Sequence, residues 1–74
     1  MTTSKVHPVR PTTDLEKRVF IYLNMVRDSG ITNMFGAGPY VEREFSVTKR
    51  EAVALLSSWM NNFNEDGDYE NIIV

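Results

Sequence analysis

The sequence predicts a mostly α, compact three-helix domain that allows a short terminal β-strand pair, and three observations predict it. Two capping boxes, Thr13 with Glu16 and Thr48 with Glu51, mark helix starts, because each hydroxyl and carboxylate satisfies a backbone N–H that the first turn leaves free. Apolar residues recur at helical spacing behind each box, most clearly Ala52, Leu55, Leu56, Trp59, Met60 and Phe63. Between the two, Gly38-Pro39 opens a shorter segment, since proline in the first turn gives up an N–H that would have no partner.

Taken in order, Met1 to Pro11 is polar, holds Pro8 and Pro11 and has neither periodicity, so residues 1–11 read as a flexible arm whose Val6, Val9 and Arg10 can dock on the body. Helix one starts after Thr13 and ends near Asp28, with Gly30 as its stop. Leu15, Val19, Tyr22, Leu23 and Val26 form its stripe, while Phe20, Ile21 and Met25 lie off it. A helix apolar on more than one face is buried on more than one side. The run V-F-I-Y-L is also β-prone, but the cap before it and N-M-V-R-D-S-G after it favour helix.

In the connection Ile31 to Gly38, Met34 and Phe35 are expected to plug the core. Helix two runs from Pro39 to Phe45 with Tyr40, Val41 and Phe45 inward, Ser46-Val47 is the turn, and helix three completes a helical domain spanning 12–63. Residues 64–74 form an acidic tail, flexible through N-E-D-G-D, that closes with Tyr69 and the β-prone Ile72-Ile73-Val74. Such a strand suits pairing with the arm around Val6 to Arg10, or with the same segment of a second copy, because a lone strand leaves its backbone groups unpaired.

A chain of 74 residues is one domain with a marginal core, burying only about 60% of the surface its unfolded form exposes. Cysteine is absent, so neither disulfides nor a thiolate metal site adds stability, and the fold relies on helix packing or self-association. The net charge of -2 is unevenly spread: every lysine and arginine precedes Glu51, and Glu65, Asp66, Asp68 and Glu70 follow it. The tail therefore projects a field that repels phosphate. No apolar run reaches signal-peptide or bilayer length, which leads us to expect a cytoplasmic protein with no membrane partner.

From Pro39 to Phe63, the short helix, tight turn and longer capped helix resemble a helix-turn-helix. Val41 and Phe45 match the inward residues of its first helix, Val47 the apolar residue after the turn, and Ala52 and Leu55 the inward residues of the recognition helix. Two positions depart from that pattern: Glu42 replaces a small residue, and Ser46 replaces glycine. The resemblance implies an outward face that enters a major groove, with Arg43, Lys49, Arg50, Ser57 and Asn61 as nucleic-acid contacts. Against it, affinity for nucleic acid comes mostly from phosphate neutralisation, and helix three offers two cations before the acidic tail. The alternative for the same face is a solvated helix surface or a small-residue seam for another helix.

Other motifs are incomplete. G-A-G-P has no clear strand before it and no lysine behind it, so its glycines read as turn formers rather than a phosphate cradle. Asn62, Asn64, Asp66 and Gly67 fit the opening of a calcium-binding loop, but Ile73 stands where its bidentate glutamate belongs. The single histidine, His7, precedes Pro8 in the arm, and Ser57 and Ser58 lie mid-helix without a basic partner. We therefore expect no catalytic residues, cofactor, metal or small-molecule substrate. Aromatic residues exceed what three short helices hide, which marks Phe20, Met25 and Trp59, where exposed, as a candidate protein interface. The leading expectation is a non-catalytic binding module acting through protein-protein interaction with a partner or a second copy as a homodimer. A DNA-binding helix-turn-helix regulator is the runner-up.

The stretches D-S-G-I-T-N-M-F-G-A-G-P-Y (Asp28 to Tyr40) and L-L-S-S-W-M (Leu55 to Met60) resemble small uncharacterised proteins encoded by tailed phages and marine environmental sequence. That resemblance implies no activity, catalytic residue or cofactor. It favours a host-directed or regulatory binding protein.

Overall fold

The computed structural model describes residues 8–73, so Val6, His7 and Val74 lie outside the described residues, as does the side chain of Met34. Strand β1 (Val9–Pro11) leads into helix α1 (Asp14–Ser29), a 3-10 turn (Met34–Gly36), helices α2 (Gly38–Phe45) and α3 (Lys49–Asn61), and strand β2 (Asn71–Ile73).

Local chemistry sets the helix ends. In α1, Glu16 N–H donates to Thr13 Oγ1 at 3.1 Å and Thr13 N–H to Glu16 Oε1 at 2.9 Å; α3 repeats both bonds at the same distances with Thr48 and Glu51. Each cap contributes about 1 kcal/mol. Helix α1 stops at Gly30, whose φ of 69° is left-handed and whose N–H donates to the Val26 carbonyl at 3.2 Å. Helix α2 has no side-chain cap. It ends at Ser46, which adopts φ 54° although it is not glycine.

The strands join the two ends of the described chain in an antiparallel pair, Val9 opposite Ile73, Arg10 opposite Ile72 and Pro11 opposite Asn71. Val9 to Pro11 thus belongs to the body: of the two pairings expected for the terminal strand, the one with the arm is formed, and the flexible-arm expectation does not hold over those residues. The physical reason is an anchor at each strand. Ile72 is 2% exposed, and Thr12 N–H extends the ladder to the Glu70 carbonyl at 3.0 Å while its hydroxyl donates to the Tyr69 carbonyl.

Between the helices and this pair lies one core of Val19, Phe20 and Leu23 from α1, Val41 from α2, Ala52, Leu56 and Trp59 from α3, and Tyr69 and Ile72 from the tail. Phe20 is fully buried, a gain of about 2–3 kcal/mol. It lies off the α1 stripe and is buried because the tail returns over that side, with the Tyr69 ring 5.1 Å away. Leu15, Met60 and Phe63, all expected inward, are instead exposed, at 40%, 36% and 37%. Phe35 does not plug the core: it is 86% exposed.

One polar cluster crosses the core boundary. Asn24 Oδ1 accepts from Trp59 Nε1 at 2.8 Å and from the Tyr69 hydroxyl at 2.7 Å, while Asn24 Nδ2 donates to the Asn64 carbonyl at 2.9 Å. Asn24 thereby ties α1, α3 and the tail together with every partner satisfied. The acidic segment expected to be flexible is a bonded turn, because Asn64 Oδ1 accepts from Asp66 N–H at 2.8 Å and Gly67, at φ 77°, donates back to the Asn64 carbonyl at 3.0 Å.

Candidate interaction surface

All five candidate nucleic-acid residues, Arg43, Lys49, Arg50, Ser57 and Asn61, are exposed. The structure divides them. Arg50, Ser57 and Asn61 share the solvent pole of α3 with Ala54, whereas Lys49 lies on the flank carrying Val53 and Met60. Arg43 belongs to a third group, its guanidinium 5.6 Å from the centre of the Tyr40 ring. Acids interleave all of them, with Glu42 and Glu44 on α2 and Glu51 in the first turn of α3.

The candidate protein interface is also divided. Met25 is 63% exposed, but Phe20 and Trp59 are buried and anchor the core instead. The tail accounts for Phe20, and Trp59 is held by its bond to Asn24 and by Phe63, edge-on at 5.3 Å. Arg27 closes over Phe63 at 4.7 Å and screens that end from water.

Exposed apolar side chains lie on the strands at Val9 and Ile73, on α3 at Val53, and at two further places. The first is the connection after α1, where Ile31 is 58% exposed and Phe35 stands in water on an ordered turn. Gly36 N–H donates to both the side-chain and main-chain oxygens of Asn33, at 2.9 and 3.0 Å, which fixes the turn. A Cβ at Gly36 would sit 2.8 Å from Thr32 Oγ1, so the turn is also tightly closed. An aromatic ring is thus presented from hydrogen-bonded backbone.

The second site joins α1 to α2. Tyr22 packs edge-on against Phe45 at 5.4 Å, and partial burial pushes its hydroxyl above the ordinary value, followed by the Glu44 carboxylate, with Arg43 acting in the opposite sense. Met25, 63% exposed, and Arg18 flank Tyr22 one turn away on α1. Neither arginine forms an ion pair among the described residues. Sequence periodicity places these side chains on their own helices and carries no signal that the two sets meet.

The remaining motifs are occupied structurally. Asn62 and Asn64 spend their side-chain oxygens on the N–H groups of Ile73 and Asp66, at 2.8 Å each, rather than pointing them at a common centre. Ala37 and Gly38 at the start of α2 are buried, so that helix end meets protein. Among the described residues no cavity is enclosed, no three His, Cys, Asp or Glu residues gather, and no helix is long and apolar enough to cross a membrane. No family model, curated protein or solved structure matches the chain.

Proposed function

We propose that this protein is a small binding module that acts by protein-protein contact. The observation that carries the reading is Phe35, 86% exposed on a turn whose backbone is hydrogen-bonded in place. Leaving a phenyl ring in water forgoes about 2–3 kcal/mol that burial would supply. Because the backbone beneath it is hydrogen-bonded in place, only the ring's own side-chain rotations remain to be ordered when a partner covers it. Ile31 in the same connection adds a second apolar contact. The resemblance of Asp28 to Tyr40, which spans this connection, to tailed-phage proteins favours a host-directed partner.

The test is affinity capture from a bacterial lysate with the wild-type chain and Phe35→Ser, an exposed substitution that leaves the core intact. A protein retained by the wild type and lost with Phe35→Ser supports the reading. Retention indifferent to Phe35, or no retained protein, counts against it. The helix-turn-helix alternative is favoured by one observation, the exposure of all five candidate contacts around a bonded α2-turn-α3 unit.

A further inference from the structure

We propose that two copies of this chain associate through α1 alone, laid antiparallel about a two-fold axis level with Leu23, with Ile21 and Met25 at the centre. This inference shares with the preceding reading only the premise of protein contact, and it concerns a different surface. Asp14, Arg18, Ile21, Met25 and Asp28 follow one another at alternating spacings of four and three residues, which keeps one seam of a helix facing another helix. The seam lies on the side of α1 opposite the buried Leu23. All five of its residues are exposed, Ile21 at 48% and Met25 at 63%, so the middle of the helix's solvent face is apolar.

The order of residues along the seam selects a second copy as the occupant. Ile21 and Met25 stand two positions either side of Leu23, and Arg18 and Asp28 stand five positions either side of the same residue. Turned end for end, the seam therefore sets Ile21 against Met25 of the partner subunit and Arg18 against Asp28 of the partner subunit. The axis repeats both matches, so an ion pair closes each end of the apolar layer. A parallel pair would instead bring like charges together at both ends. An unrelated partner has no need for the apolar and charged pairs to share one centre, whereas an isologous contact requires it. Arg18 forms no ion pair among the described residues, and Asp28 has only an exposed one, to Arg27 at 3.4 Å. Of the other charges on this side, Lys17 is engaged with Glu70 at 3.3 Å and Asp14 falls past the end of the partner's helix.

The other route to a dimer, strand addition at the sheet edges, is obstructed on both sides. On β2, Asn62 accepts from Ile73 N–H at 2.8 Å and donates to its carbonyl at 3.4 Å. On β1, Pro11 has no N–H and its carbonyl already accepts from the Arg10 guanidinium at 3.0 Å. Protected edges of this kind disfavour pairing with another chain. Two apolar residues per copy make a small contact, which places the association in the weak class.

Sedimentation velocity from about 1 µM to about 1 mM covers the range of weak self-association. The expected result is a monomer-dimer equilibrium within that range, abolished by Met25→Glu with helix content unchanged. Arg18→Glu and Asp28→Arg should each weaken the dimer roughly tenfold, and the two together should restore most of it. Orientation has its own readout because the chain has no cysteine: Ile21→Cys chains mixed with Met25→Cys chains should form disulfides with each other faster than either forms them with itself. A strictly monomeric wild type overturns the proposal, as does a dimer unmoved by these variants, single-variant losses that the double does not repair, or disulfides that favour like with like. A monomer whose lysate partner still depends on Phe35 separates failure here from failure of the binding-module reading.

Discussion

Asn24 and Trp59 meet across the α1–α3 boundary, the asparagine oxygen 2.8 Å from the indole nitrogen. Replacing Asn24 by alanine strands the indole N–H in a core position that is 2% exposed. The Tyr69 hydroxyl keeps an acceptor, because the Asn64 carbonyl lies 3.1 Å away. One orphaned donor and a lost link to the tail together cost about 2–4 kcal/mol. A urea titration followed by circular dichroism should show that loss, and Tyr69→Phe should cost less, about 1–2 kcal/mol.

Ile72 and Ile73 are neighbours in β2 with opposite fates, one 2% and the other 45% exposed. Ile72→Ala should therefore destabilise by about 2–5 kcal/mol, with the cavity adding to the lost transfer energy. Ile73→Ala should stay within about 0.5 kcal/mol. The reverse order, with Ile73→Ala the costly variant, would show that the strand sits one residue out of the register described, since a slip of one exchanges the faces.

Much of this architecture is legible in the sequence where the rule is local. Both capping boxes, the Gly30 stop and the turn at Ser46 depend on residues at most four positions apart, and helix boundaries follow them closely. Asn24 is illegible because its partners Trp59, Asn64 and Tyr69 lie 35, 40 and 45 residues away. Phe20 misleads for the same reason, since the ring that covers it comes from the tail. Phe35 misleads differently: its composition argues for the core, but the Asn33 and Gly36 bonds fix a turn that points it outward. Met25 is legible as an off-stripe residue, whereas the packing of Tyr22 edge-on against Phe45 joins residues 23 positions apart and has no local signal.

Ser46 ends α2 with φ 54°, where a side chain carries a penalty of about 1–2 kcal/mol that glycine does not. Glycine gives back about 0.5–1 kcal/mol through its freer unfolded chain. Ser46→Gly should thus stabilise by about 0.5–1 kcal/mol, raising the melting temperature by roughly 3–6 °C in calorimetry. Ser46→Val, β-branched at a left-handed position, should lower it.

Arg10 and Glu16 form a two-pronged ion pair at 2.8 and 2.5 Å. The guanidinium's hydrogen bonds hold the Glu16 carboxyl below the usual carboxylate range, with the Thr13 N–H adding to them and partial burial opposing them. A folded-state pKa depressed in this way makes the unfolded chain the stronger proton binder. The stabilisation is then fully present above an ordinary glutamate pKa of about 4.3 and is lost as pH falls through the folded value. Glu16→Gln should be less stable than wild type near neutrality, and urea midpoints measured down to about pH 2 should converge. A gap that persists undiminished would assign the effect to the capping bond rather than to charge.

Nucleic acid provides the sharpest contrast between the two readings, because the electrostatics bound what α3 can do. Lys49 and Arg50 are its only cations, and Glu51 follows at once. Two neutralised phosphates give a salt slope near −2, so raising salt from about 50 to about 200 mM weakens binding only about tenfold. The acidic turn at Glu65, Asp66 and Asp68 opposes even this at low salt. The binding-module reading therefore expects no micromolar affinity for duplex DNA at about 50 mM salt, and no difference between wild type and Lys49→Glu/Arg50→Glu. Micromolar binding that falls steeply with salt and disappears in the double variant would instead require further cations, with Arg43 the nearest in sequence, to reach the backbone. That outcome would place the Arg50, Ser57 and Asn61 stripe in a groove and displace protein contact as the primary role.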